Sequence, residues 1–404
     1  MLHTFRFSWP RVAATALLSV SALAFTACKD DDDDTTKPTD LTGAKQTAVA
    51  TYASVASATY EDALSAARTL QTRIQAFVAT PSPATLADAR QAWKDARRPY
   101  GQTEAFRFYD GPIEEVEGLL NAWPLDENFI DYTSTQPTAG IINDVTTYPT
   151  LSKSLLVDLN ENGGAVGGEK NISVGYHAIE FLLWGQDLSA TGPGNRPYTD
   201  YLAGGTASNQ ARRGQYLLLC AELLAEHLEQ VATEWRSTGA GTYRARLLAM
   251  PADSALQRIL TGAGALGAGE MNERLQPALD TQDQEEEHSC FSDNTDQDVK
   301  LNQLGIRNVI LGTYTRTDNS TVTGPSVLDA VRAADASAAN TLATRLDAAT
   351  AATQAIQAPF DQEILGVGSA GYNRVRAAVL ACRAQSDQLV SAAAKLGFPL
   401  VFPN

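Results

Sequence analysis

Residues 47–79 read TAVATYASVASATYEDALSAARTLQTRIQAFVA, and this stretch decides the fold class. Val55, Ala58, Leu64, Ala67, Leu70, Ile74 and Phe77 fall near one face of a 3.6-residue period, and Pro81 and Pro83 close the run. That is the pattern of a long amphipathic helix. The same threes and fours return from Thr85 to about Arg97, stopping near Pro99, and in Gln210–Trp235, Ser254–Ala263, Val299–Tyr314, Ser326–Ala358 and Gly371–Leu396. Strand-like alternation is scarce, so the chain predicts an all-α fold of antiparallel helical bundles.

Outward from these helices lie two long connections. Asp110–Ser173 carries Pro112, Pro124, Pro137, Pro149 and the Gly163-Gly164 and Gly167-Gly168 pairs, as a loop covering a site would. Asp187–Asn209, with Pro193, Pro197, Gly204 and Gly205, marks a boundary between an N-terminal half, 44–205, and a C-terminal half, 206–404. Each half starts with a long helix and has a late Gly-Tyr helix entry, Gly175-Tyr176-His177 and Gly371-Tyr372-Asn373, which suggests duplication. Chance helical similarity is the competing explanation. Only the first copy has the His and Glu of a ligand pair, since Asn373 and Arg376 stand in the second.

Residues 1–27 read as an export signal, with Arg6 and Arg11 ahead of the apolar run Val12–Ala27. Thr26-Ala27-Cys28 resembles a bacterial lipobox, which makes Cys28 a lipidation site and the chain a lipid-anchored protein of the bacterial envelope, on the periplasmic or outer-membrane side. An ordinary signal peptide cut nearby is the other reading. Residues 28–43, with Asp30–Asp34, read as an acidic flexible tether. The formal charge of −16 becomes more negative once Arg6 and Arg11 leave with the signal. Such a chain excludes a nucleic-acid binder and attracts cations. Cys220, Cys290 and Cys382 are odd in number and widely spaced, which argues for buried thiols over disulfides or a cysteine zinc site.

The chemistry centres on Gly175-Tyr176-His177-Ala178-Ile179-Glu180-Phe181-Leu182-Leu183-Trp184-Gly185. An i,i+3 helical spacing puts His177 and Glu180 one turn apart on one side, where they could hold one cation or simply bond each other. Neither His-Glu-x-x-His nor His-x-x-Glu-His occurs, so a metal needs further ligands from distant segments. The body offers only His177, His227 and His288, so most of those ligands must be oxygens, a mixture suited to iron, manganese or zinc. Glu104 sits among aromatic residues and needs a cation or donors, a metal or Arg107. The stretch Glu285–Asp296 gathers His288, Asp293 and Asp296, as a ligand cluster or a solvated helix end. His227 reads as structural. Gly262-x-Gly264-x-x-Gly267 follows a helical segment and no strand, which rules against a dinucleotide site.

Three motifs then carry a family resemblance: Gly175-Tyr176-His177-Ala178-Ile179-Glu180, Thr103-Glu104-Ala105-Phe106-Arg107-Phe108 with Gly111-Pro112-Ile113-Glu114, and Glu287-His288-Ser289-Cys290-Phe291-Ser292-Asp293-Asn294-Thr295. The chain resembles the imelysin-like family of bacterial envelope proteins, and within it the iron-regulated protein A branch. The resemblance implies two duplicated helical halves in one elongated body, with the His177/Glu180 site in a cleft near their junction. It implies a metal-binding protein of iron acquisition or homeostasis, with His177, Glu180, Glu104, His288 and Asp293 as metal ligands and no catalytic residue assigned. Iron is the foremost metal and zinc the alternative; the implied partners are the ion and a membrane component of iron uptake. A metallopeptidase of the imelysin type and a metal-free scaffold for a protein partner are the competing functions.

Overall fold

Asp40 opens the helical body: its carboxylate accepts from the Gly43 amide and caps α1, Leu41–Ala79. The computed structural model describes residues 40–402 apart from 165–167 and 237–238, so the signal, Cys28 and the acidic run lie outside the described residues. All seven apolar positions read from the α1 pattern are buried. Ser82 and Thr85 form a capping box that starts α2, Pro83–Thr103. This helix runs beyond the stop expected near Pro99. A proline forfeits one intrahelical hydrogen bond, and burial of Pro99, Tyr100, Gly101, Gln102 and Thr103 offsets that loss.

The remaining helices of eight or more residues are α3 (Gly175–Trp184), α4 (Gln210–Arg236), α5 (Ala252–Ala265), α6 (Met271–Thr281), α7 (Thr295–Leu311), α8 (Val327–Ala334), α9 (Ala336–Gln354) and α10 (Ala370–Leu396). The helix expected over Ser326–Ala358 is two, because Asp335 ends α8 and its side chain caps α9. The end of the helix expected over Val299–Tyr314 is a strand instead: β1 (Thr313–Thr315) pairs antiparallel with β2 (Thr321–Thr323), Tyr314 opposite Val322. The protein is otherwise all-α. Asp110–Ser173 is irregular with short helices at Glu117–Leu120, Glu127–Ile130 and Lys153–Leu159. Among the described residues no helix is long and apolar enough to cross a membrane.

Helix α1 packs along α2 and α4 and also meets α8 and α5, while α9 lies on α10. From Thr39 onward the chain is one compact unit. The contact that positions the site is α2 against α7. A Cβ added at Gly305 would lie 2.4 Å from the Gln102 carbonyl, and one at Gly101 2.9 Å from Leu301 Cβ, so the two backbones nearly touch. The glycine run 262–267 serves packing too. A Cβ at Gly262 would lie 2.6 Å from the Arg107 carbonyl.

Candidate metal centre

Gly175 enters α3 with a φ of +88°, and a Cβ there would meet the Leu120 carbonyl at 2.7 Å, so the turn requires glycine. Trp93 Nε1 donates to the Tyr176 carbonyl at 2.9 Å and fixes the first turn against α2. Every residue of α3 is buried, and His177 points inward at 1 % exposure. Its Nδ1 lies 2.9 Å from Glu180 Oε2, while Glu180 Oε1 accepts from the Ser292 amide at 3.0 Å and the Ser292 hydroxyl at 2.7 Å. His288 faces it from the turn before α7, built the same way. Its Nδ1 lies 2.8 Å from Asp298 Oδ2, and Asp298 Oδ1 pairs with Arg97 of α2 at 3.0 Å. The two Nε2 atoms stand 3.3 Å apart, with ring planes at 78°.

Burial, with Arg97 next, pushes His177 down to about 3, and burial with Arg274 lowers His288 as well, so both rings are neutral at pH 7. Burial raises Glu180 to about 8 against the opposing Ser292 hydrogen bond. A protonated Glu180 gives a complete one-way chain of donors: Glu180 to His177 Nδ1, His177 Nε2 to His288 Nε2, and His288 Nδ1 to Asp298. With Glu180 ionised, each ring donates through Nδ1 to its own carboxylate and both Nε2 lone pairs meet. That second state is the carboxylate–histidine arrangement that orients metal ligands. A separation of 3.3 Å is also about the span of two imidazole nitrogens on one tetrahedral ion at roughly 2.0–2.1 Å each. The pair therefore fits a cation on the nitrogen side. Among the described residues, no three His, Cys, Asp or Glu side chains converge to hold a metal as they stand.

The structure brings His177, Glu180 and His288 together and sends the other predicted residues to different work. Glu180 orients His177 and presents no free oxygen to a shared ion. Glu104 is close by but saturated. Arg274 grips it bidentately at 2.6 and 2.9 Å, and Asn121 and Asn302 supply further donors. Arg107, its expected partner, pairs with Glu117 at 3.0 Å and Glu270 at 3.4 Å instead. Asp293 is half-buried, and burial with the charges of Asp361 and Asp187 raises it to about 7, while Asp296 pairs with Lys300 at 2.7 Å. His227 is buried in α4 away from the pair.

Sequence reading missed Asp298, Ser292 and Arg97, each a direct or next-neighbour support of an imidazole. Asp298 lies ten residues beyond His288, outside any one-turn spacing, and the only hint was a carboxylate in the first turn of a helix. Trp123, from the Asp110–Ser173 segment, sets its ring 5.8 Å from that of His288 and is half-buried, so this segment covers the site as expected of it. The hollow beside the Gly185–Pro197 loop, about 430 Å³, is not lined by either histidine. Among the described residues, Cys220, Cys290 and Cys382 are free and buried.

A helical body with this buried His-x-x-Glu entry defines the class: the chain belongs to the imelysin family, whose family model matches residues 56–389. It is similar to Iron-regulated protein A of Synechococcus elongatus, 26 % identical over 300 residues that span 72 % of this chain and 68 % of that one. The fold is shared with a crystal structure assigned to an iron-regulated protein A precursor from Parabacteroides distasonis, with a TM-score of 0.69 and 19 % identity over 90 % of this chain and 97 % of that one. An imelysin-like protein from Psychrobacter arcticum has the same fold at a TM-score of 0.60 and 12 % identity, over 89 % and 98 % of the chains.

Proposed function

We propose that this imelysin-family protein binds a metal ion, iron foremost and zinc as the alternative, between His177 and His288, and serves iron acquisition or homeostasis at the bacterial envelope, anchored through Cys28. The observation that carries the reading is the pair of Nε2 atoms 3.3 Å apart, each ring held from behind by a carboxylate. The acidic charge of the chain favours cation capture, and relatives bearing an iron-regulated name point to the same metal. The ion is cargo. The chain's own residues orient two nitrogens toward it, and Trp123 covers His288.

Calorimetry and metal analysis of the purified protein with Fe²⁺ under anaerobic conditions, and separately with Zn²⁺, test this. One ion per chain is expected, lost in His177→Ala and in His288→Ala. Equal metal in the wild type and the double variant overturns the reading. Peptide cleavage that is abolished both by chelation and by His177→Ala would replace it with the peptidase function. For the anchor, Cys28→Ala should move the protein from the membrane to the soluble fraction of fractionated cells.

A further inference from the structure

Loop 185–197, the turn 282–286 after α6 and loop 365–368 before α10 meet at one surface. The Gln284 side-chain amide donates to the Asp187 carbonyl at 2.9 Å and to its carboxylate at 3.3 Å, the Gly366 amide donates to Gln282 Oε1 at 2.6 Å, and the Gln362 side-chain amide donates to the Ala190 carbonyl. Leu188 is 72 % exposed, Val367 73 % and Leu365 44 %. Apolar side chains exposed singly are ordinary, but these three flank one hollow. Leu188 lines it, about 550 Å³, with Asp283 and Glu285, and Gly366, between Leu365 and Val367, is bonded to Gln282 in its wall. The hollow of about 430 Å³ shares Asp187, Leu188 and Ser189 with it and adds Trp184, Tyr132 and Pro193. Neither histidine lines either hollow.

Around these apolar side chains the charge is all of one sign. Stretches 185–195, 275–299 and 355–373 hold no lysine or arginine. Asp283 and Glu285 are exposed, and neither forms an ion pair among the described residues. Desolvation, then the charges of Glu127, Asp283 and Asp187, hold the Glu285 carboxyl up at about 7, so a cation is what it lacks. We infer that this face docks a basic peptide segment of a partner protein, one that carries an apolar anchor between lysines or arginines. The anchor enters the hollow beside Trp184 and Tyr132, next to Leu188, while the cationic groups meet Asp283 and Glu285. Burial at the anchor supplies affinity, and opposite charge supplies the on-rate and the choice of partner. The same charge turns other occupants away, since the chain's own acidic run 30–34 and the anionic surface of a bilayer both have its sign.

Fluorescence anisotropy of the full-length protein with a labelled amphipathic peptide of leucine and lysine tests the surface, beside a counterpart of equal charge with serine for leucine. Saturable one-to-one binding is expected, roughly tenfold or more tighter for the leucine peptide. Leu188→Ser with Val367→Ser should remove that difference, and Asp283→Asn with Glu285→Gln should weaken binding roughly tenfold and flatten its dependence on salt. These four side chains are exposed, so both variants should keep the wild-type melting curve by circular dichroism. Asp88→Asn with Asp387→Asn removes the same charge from exposed positions on α2 and α10 and should leave binding unchanged. Equal binding of the two peptides, or equal weakening in the two charge variants, means attraction to the acidic chain as a whole and overturns the surface. Self-association of the wild type in sedimentation, abolished by Leu188→Ser with Val367→Ser, makes a second copy the occupant and overturns it too.

Discussion

His177 and His288 are each fixed through Nδ1, so what Glu180 and Asp298 contribute is direction and basicity. Replacing Glu180 by Gln keeps the volume and the Ser292 contacts and removes the carboxyl group that can ionise when a metal binds. Metal affinity is expected to fall by ~10–100-fold, against complete loss in His177→Ala, as calorimetry would read. The same burial gives the protein a defined acid response. Folded, both rings stay neutral, while the unfolded chain protonates them below about pH 6.5, so the unfolded state binds more protons and stability falls as pH drops from there. Glu104 adds to the loss at lower pH. Burial alone would raise it, but Arg274 brings it down to about 2, so its contribution is complete above about pH 4.3 and disappears as pH falls toward 2. Urea unfolding between pH 7 and 3 should therefore show His288→Asn flattening the upper part of the profile and Glu104→Gln the lower. Arg274→Ala leaves Glu104 buried without its cation and should cost about 3–5 kcal/mol at pH 7 by the same measurement.

Elements matter here for how closely they approach. Arg97 on α2 reaches Asp298 on α7 because Gly101 and Gly305 let the two helices nearly touch. Gly305→Ala would press a methyl group into the Gln102 carbonyl. It should destabilise by ~1–3 kcal/mol in urea unfolding and weaken metal binding by parting Arg97 from Asp298. The pattern of α3 showed which residues share a turn, so His177 and Glu180 were legible as neighbours. It did not show that Glu180 faces the ring and Ser292, because that depends on a segment more than a hundred residues away. For the same reason Arg274, on α6, was invisible as the partner of Glu104. Nearness in sequence favoured Arg107, and packing against Glu117 and Glu270 took that side chain elsewhere.

At the scale of the molecule, helical periodicity was enough for the fold class, since amphipathic faces as long as that of α1 have to be covered by other helices. Helix ends were less legible. Pro99 is tolerated inside α2 because its surroundings are buried, and Asp335 divides an Ala-rich run that carries no apolar interruption. Because Asp40 caps α1 and the chain from Thr39 is one unit, a protein begun at Thr39 should unfold cooperatively with the full-length midpoint by circular dichroism.

The facing imidazoles also order events in time. A ribosome must add 111 residues after His177 before its counterpart exists, and ten more before the carboxylate that steers it. On the proposed function, a nascent or still unfolded chain lacks the paired nitrogens, so an ion is taken up only once the chain has folded.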